Sequence, residues 1–173
     1  MILIYALIAI IAVALDVISK CEVIEKLIPV GSMKFIPGFI DFQYVENTGA
    51  AFGMMKDSRW IFIIVSAVAI VGIGVYVTLN RNKIHPLLGV GLSMVVGGGI
   101  GNQIDRIVLG YVVDFIHFDF YFPVLEEFPT FNVADSFVTV GAVIIVIAVL
   151  FFDKTSSKDK KTIKTDGGEK NDI

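Results

Sequence analysis

The sequence predicts a mainly α membrane protein: four transmembrane helices, a small extracytoplasmic β-rich element between helices 1 and 2, and an interfacial loop between helices 3 and 4. Three observations lead there. Of the 173 residues, 55% are hydrophobic and 18% charged, with a mean hydropathy of +0.80. A soluble domain carries about 25% charged residues, and one this small cannot hide so much apolar surface, so lipid must cover part of it. Two uncharged runs, residues 60–79 and 87–104, hold twenty and eighteen residues. At about 1.5 Å per residue each approaches the ~30 Å hydrocarbon thickness of a bilayer. Two more apolar runs each carry one acid, Asp16 in residues 1–19 and Asp135 in residues 133–152. Helices follow because a lipid-facing backbone must satisfy its own hydrogen bonds.

A chain of this length is expected to form one domain, here residues 1–152. The net charge of −3 and the pI near 5.3 give no reason to expect a nucleic acid partner. The single cysteine, Cys21, excludes an intramolecular disulfide and a cysteine-rich metal site. The first run does not read as a cleavable signal peptide. It lacks a basic n-region and a small-x-small cleavage site, its apolar stretch is too long, and Lys20 rather than a small residue precedes Cys21. The first helix is therefore expected to stay.

Orientation follows from the basic residues of the connections. Residues 80–86 carry Arg81 and Lys83, and residues 153–173 carry six lysines. Residues 105–132 carry only Arg106 against Asp105, Asp114, Asp119, Glu126 and Glu127. Both termini are expected in the cytoplasm and both long connections outside, with residues 153–173 a disordered lysine-rich tail. Within the outer connections, residues 38–46 and 111–122 are rich in aromatic and β-branched residues, and read as short strands or interfacial segments. Asn47-Thr-Gly49 reads as a turn.

The polar residues in the apolar runs are the candidates for chemistry, since an ionisable group at membrane depth usually faces the bundle interior. Asp16 and Lys20 stand four apart and share a helix face, which continues backward through Ala12, Ala9 and Tyr5. An ion pair and a site role both fit them. The third helix has small residues at four-residue spacing, Gly89, Ser93, Gly97 and Gly101, followed by Asp105, and these suit close helix packing. At its end Asn102, Asp105 and Arg106 share a face.

Asp114 lies in an apolar frame, and Asp135 follows Asn132 at the start of the fourth helix. Both fall near the outer interface, one on each arm of a returning loop. Two poorly hydrated carboxyl groups facing each other share a proton, which suits a general base and a general acid in one site. Two unrelated acids, one capping a helix, would give the same spacing. Thr139 and Ala142 are expected to continue the small, polar face of the fourth helix inward. No metal-ligand spacing such as HExxH and no nucleotide loop occurs.

Five blocks carry a resemblance to a known family: Asp16-Val-Ile-Ser-Lys20, Asn47-Thr-Gly-Ala-Ala-Phe-Gly53, Gly101-Asn-Gln-Ile-Asp-Arg106, Val112-Val-Asp-Phe-Ile116 and Phe131-Asn-Val-Ala-Asp-Ser136. With them the chain closely resembles the bacterial lipoprotein signal peptidases, also called signal peptidase II or prolipoprotein signal peptidase. The resemblance implies an aspartic endopeptidase of the bacterial cytoplasmic (inner) membrane that cuts diacylglyceryl prolipoproteins before the lipidated cysteine. It implies Asp114 and Asp135 as the catalytic pair and Asn132 as the residue orienting them. Asn102 and Arg106 would contact the substrate backbone, while Asp16, Lys20 and Asn47 would shape the site. It further implies no cofactor and no metal, membrane lipid as a partner, and binding of a globomycin-type inhibitor. Val17 stands where the family usually has Gln, which removes one polar contact expected near Asp16. The competing reading is a small proton-coupled carrier or transporter subunit using buried acids. A carrier would more often place its acids near the midplane, within repeated halves.

Overall fold

Glycine decides where the helices of this protein meet. The computed structural model describes residues 1–49, 59–119 and 128–152. In chain order these form α1 (Ile2–Leu27), β1 (Ser32–Ile36), β2 (Ile40–Asn47), α2 (Arg59–Asn80), α3 (Pro86–Val108), β3 (Val112–Phe118) and α4 (Val133–Phe152). All four helices are long and apolar enough to cross a membrane. The expectations placed on residues 50–53, on residues 120–127 and on the tail, including its disorder, lie outside the described residues.

α3 is the hub, and it presents glycine to each of its three neighbours. A Cβ on Gly97 would meet the Ala12 side chain and the Ala9 carbonyl of α1 at 2.7 Å. One on Gly98 would meet the Ala134 carbonyl of α4 at 2.4 Å, and one on Gly99 the Ile70 side chain of α2 at 3.2 Å. Farther along, Gly91 and Gly141 face each other, each leaving room for the other's carbonyl at 2.8 Å. Lipid is as apolar as leucine, so close backbone packing rather than exclusion from water holds such helices together. The small-residue ladder of α3 and the face of α1 through Ala12, Ala9 and Tyr5 are thus the two sides of one seam. Tyr5 lies over Gly89, and Asp16 lies over Gly101.

α4 differs from expectation along its length. Its buried seam is Ala134, Gly141 and Ala148, at seven-residue spacing, whereas Thr139 and Ala142 are exposed. Counting inward from Asp135 places the face one residue off, because Ala134 is the residue pressed against α3.

α1 runs to Leu27 instead of ending near Ser19. Its last turns are amphipathic: Val23 and Leu27 are buried with Val113 and Phe115 of β3, while Glu22, Glu25 and Lys26 face out. At about 1.5 Å per residue its 26 residues span ~39 Å, enough to cross the bilayer and still support the sheet.

The sheet is antiparallel in the order β1-β2-β3, with a bulge between Phe42 and Val45. The connections before α2 and before α4 therefore build one sheet, and the second contributes a strand as well as a loop. β1 escapes the sequence because all five of its residues are exposed, which leaves no alternation to read. At the end of α3 the Leu109 and Gly110 N–H groups both donate to the Asp105 carbonyl, at 2.7 and 3.2 Å. Gly110 adopts φ +96°, a left-handed conformation that turns the chain into β3 and that glycine holds without strain.

Gly98→Ala forces a methyl onto a backbone carbonyl that cannot swing aside, so it is expected to cost about 1–3 kcal/mol of stability, as overpacking does. Gly74→Ala meets nothing within 4 Å and is expected to leave the melting temperature in detergent unchanged or raised. Equal melting temperatures for the two variants would refute the α3–α4 seam.

Candidate active site

Asn132 is the N-cap of α4, and the strand beside it fixes its position. Phe131 pairs with Ile116 of β3: its N–H donates to the Ile116 carbonyl at 3.0 Å, and its own carbonyl accepts from Ile116 at 2.8 Å. Asn132 Oδ1 accepts the Asp135 N–H at 2.9 Å, and Asp135 Oδ2 accepts the Asn132 N–H at 3.2 Å. This is a reciprocal capping box, which satisfies two N–H groups that the helix leaves without internal partners. The Asn132 Nδ2 group reaches the other way, to Asp114 Oδ1 at 2.7 Å, Asn102 Oδ1 at 3.0 Å and the Val113 carbonyl at 3.2 Å. One fully buried amide thus touches both Asp114 and Asp135.

Beneath it lies a buried ion network. Lys20 Nζ donates to Asp16 Oδ2 at 2.7 Å and Asn102 Oδ1 at 2.9 Å, and pairs with Asp105 Oδ2 at 2.8 Å. An ammonium has three N–H donors and no acceptor, so this set satisfies it completely. Asp16 Oδ1 accepts the Ala134 N–H at 2.9 Å, so a carboxylate on α1 caps α4. Asp105 Oδ2 also accepts the Val113 N–H at 3.1 Å, tying α3 to β3 one residue before Asp114. Each oxygen of Asp16 thus has a hydrogen-bond partner that does not depend on the residue-17 side chain. Gly101 is required here, because a Cβ on it would meet Asp16 Oδ2 at 2.4 Å.

β2 closes the site from the side. Asn47, at its end, holds an Asx turn with the Gly49 N–H at 3.0 Å and donates from Nδ2 to Asp114 Oδ2 at 2.8 Å. Asn102 Nδ2 donates to Asp135 Oδ1 at 2.8 Å. Every oxygen of the two carboxyl groups therefore accepts one N–H donor. Burial pushes the Asp114 carboxyl from 3.8 up to about 7, and the nearby Asp135 charge adds to the rise. The Asn47 and Asn132 hydrogen bonds and the Lys20 charge pull the other way without prevailing. Arg106 is half-buried, with its guanidinium 5.4 Å from the centre of the Phe62 ring and one N–H donated to the Asn102 carbonyl at 3.3 Å.

All eight candidate residues, Asp16, Lys20, Asn47, Asn102, Arg106, Asp114, Asn132 and Asp135, thus gather where α1, α3 and α4 meet the sheet. Asp105 belongs with them, although the sequence placed it only at the end of the small-residue ladder and on a shared face with Asn102 and Arg106. Its signal was the four-residue ladder through Gly101, which leads to the level of Lys20. Spacing also gives no sign of a polar link between α2 and α3: Gln103 Nε2 donates to the Ile63 carbonyl at 2.9 Å, and Ser66 Oγ bonds Gln103 Oε1. Among the described residues no group of three or more His, Cys, Asp and Glu side chains is arranged to hold a metal ion.

The raised Asp114 value has a consequence for stability. Folded Asp114 releases its proton near pH 7 and the unfolded residue near 3.8. Its contribution to stability is fully present below about pH 4 and is lost as pH rises through about 7. Asp114→Asn does not titrate. From about pH 5 to about pH 8, wild type is expected to lose on the order of 2 kcal/mol relative to this variant. Thermal unfolding at the two pH values measures the change, and a constant difference would contradict the raised value.

Known proteins match this chain over most of its length. Residues 8–151 match the family described as Signal peptidase (SPase) II. The lipoprotein signal peptidase of Symbiobacterium thermophilum is 44% identical over 149 residues, covering 84% of this chain and 93% of that protein. That of Clostridioides difficile is 42% identical over 154 residues, covering 89% and 99%. Two solved bacterial membrane enzymes superpose with TM-scores of 0.75 and 0.72, at 29% and 32% identity, covering 98% and 86% of this chain and 93% of each of theirs. With a matched family spanning all four helices and relatives this similar along nearly their whole length, the chain belongs to the signal peptidase II family.

Proposed function

We propose that this protein is an aspartic endopeptidase of the bacterial cytoplasmic membrane that removes signal peptides from diacylglyceryl-modified prolipoproteins, cutting before the lipidated cysteine. The observation that carries the aspartic mechanism is Asn132, whose side chain holds Asp114 and whose backbone N–H holds Asp135. Family membership supports the substrate, and the polar site at one end of four apolar helices suits a substrate anchored in the bilayer by a signal helix and lipid. The carrier reading finds no support in either.

In the proposed reaction Asp114 starts protonated and Asp135 ionised. The Asp135 carboxylate takes a proton from a water molecule as the water oxygen attacks the scissile carbonyl carbon. The Asp114 carboxyl gives its proton to the carbonyl oxygen, leaving a neutral gem-diol. Collapse of the gem-diol breaks the C–N bond: the nitrogen takes the proton held by Asp135, and Asp114 recovers one from a hydroxyl. Both acids return to their starting states, as general acid–base catalysis requires. Asn102 and Arg106, which line the pair, would hold the substrate backbone in line, and Asp16, Lys20 and Asn47 would keep the site in shape. A globomycin-type inhibitor is expected to compete with substrate here. The basic residues Arg81 and Lys83 of the link between α2 and α3 support cytoplasmic termini and a site at the outer face.

Asp114→Asn and Asp135→Asn are each expected to lower cleavage of a diacylated prolipoprotein in detergent by at least ~10²-fold, while substrate still binds. Because the two act as a unit, the double variant should be hardly slower than either single one. Activity above about a tenth of wild type in either single variant would exclude the pair from the chemistry.

A further inference from the structure

Three asparagine side chains surround the two acids, and each amide has two unlike ends, an oxygen that accepts and a nitrogen that donates. In each case the oxygen meets a group that can only donate. Asn47 Oδ1 faces the Gly49 N–H at 3.0 Å, Asn132 Oδ1 faces the Asp135 N–H at 2.9 Å, and Asn102 Oδ1 faces the Lys20 ammonium at 2.9 Å. The nitrogen ends then have no freedom: Asn47 and Asn132 donate to the two oxygens of Asp114, and Asn102 donates to Asp135 Oδ1. Two of the three anchors are backbone groups set by the path of the chain. The third is a side chain, Lys20.

A flipped Asn102 would set its nitrogen against the Lys20 ammonium and the Asn132 Nδ2 group, and its oxygen against the Asp135 carboxylate. Three attractive contacts would become three repulsive ones. From this geometry we infer that Lys20 is a positioning residue that acts through Asn102, locking the amide so that a donor always points at Asp135 Oδ1. The lock denies that direction on Asp135 Oδ1 to a proton, and so steers the proton shared by the pair toward Asp114 or toward substrate. This inference rests on the peptidase reading. The charged groups around Lys20 and Asn102 are Asp16 on α1, Asp105 and Arg106 on α3, Asp114 on β3 and Asp135 on α4. Any change at Lys20 must therefore be separated from a bare change of charge.

The double substitution Lys20→Met with Asp105→Asn achieves that separation. One positive charge against two negative becomes none against one, so the net charge of Lys20, Asp16 and Asp105 is unchanged. For this variant in the prolipoprotein cleavage assay, kcat is expected to fall by about tenfold or more, with KM changed less than about twofold. The acid limb of its pH–rate profile is expected to move to higher pH. A merely structural role would lower the yield of folded enzyme and leave the limb in place. Folded variant with wild-type kcat and an unmoved limb overturns the inference.

The wild-type protein supplies a second measurement that does not depend on the variant folding. Its Asn102 Nδ2 proton resonances, identified by their loss in Asn102→Ser, are expected to exchange slowly with solvent and to shift as the acids titrate, because one of them is held on Asp135 Oδ1. Protons that exchange rapidly with solvent, or that are indifferent to that titration, overturn the inference as well. A wild-type protein that fails to cleave prolipoprotein would sink the peptidase reading instead, and these resonances would still decide whether the Asn102 amide is held on Asp135.

Discussion

One ammonium group holds this end of the bundle together. Lys20 is 2% exposed, and a buried cation is tolerable only when each of its protons has an acceptor. Its three acceptors come from two helices: Asp16 from its own, and Asn102 and Asp105 from α3. Each partner passes the constraint on. Asp16 caps α4 through the Ala134 N–H, Asp105 holds the Val113 N–H beside Asp114, and Asn102 faces Asp135. Removing one member of such a buried pair typically costs about 3–5 kcal/mol, because the uncompensated charge stays behind. The network thus does for α1, α3, α4 and β3 what an apolar core does in a soluble protein.

The network exists only because the helices approach closely. Asp16 Oδ2 sits where a Cβ of residue 101 would be, and α4 can present its Ala134 N–H to Asp16 only because Gly98 lets its backbone in. Glycine packing and polar satisfaction are therefore one design. The first brings backbones near enough for short side chains to reach across, and the second makes that approach specific in register. Asp114 gains its raised proton affinity from the same closeness, since burial rather than any single neighbour dominates it.

Much of this was legible in the sequence, for identifiable reasons. The four spans follow from hydropathy and length, and Asp16 with Lys20 from helical spacing. The ladder from Gly89 to Gly101 and the face from Tyr5 to Asp16 were both visible; that they face each other is a tertiary fact that spacing alone does not contain. The role of Asp105 is hidden because its partner Lys20 lies on another helix. The strand β1 left no pattern, since both of its faces are exposed. The inward face of α4 lies one residue from the one that spacing from Asp135 gives, because Asp135 serves in a capping box while Ala134 makes the packing contact. Amphipathic turns at the end of α1 were hidden by Glu22, Glu25 and Lys26, which mark solvent rather than the end of the helix.

A shared proton between Asp114 and Asp135 is the central claim, and carboxyl ¹³C NMR of the two residues across pH tests it most directly. Asp114 is expected to titrate near pH 7 in the wild-type protein and at lower pH in Asp135→Asn, because the Asp135 charge contributes to holding the proton on. An Asp114 midpoint that is the same with and without the Asp135 carboxylate would show two independent acids, and the shared-proton mechanism would fall.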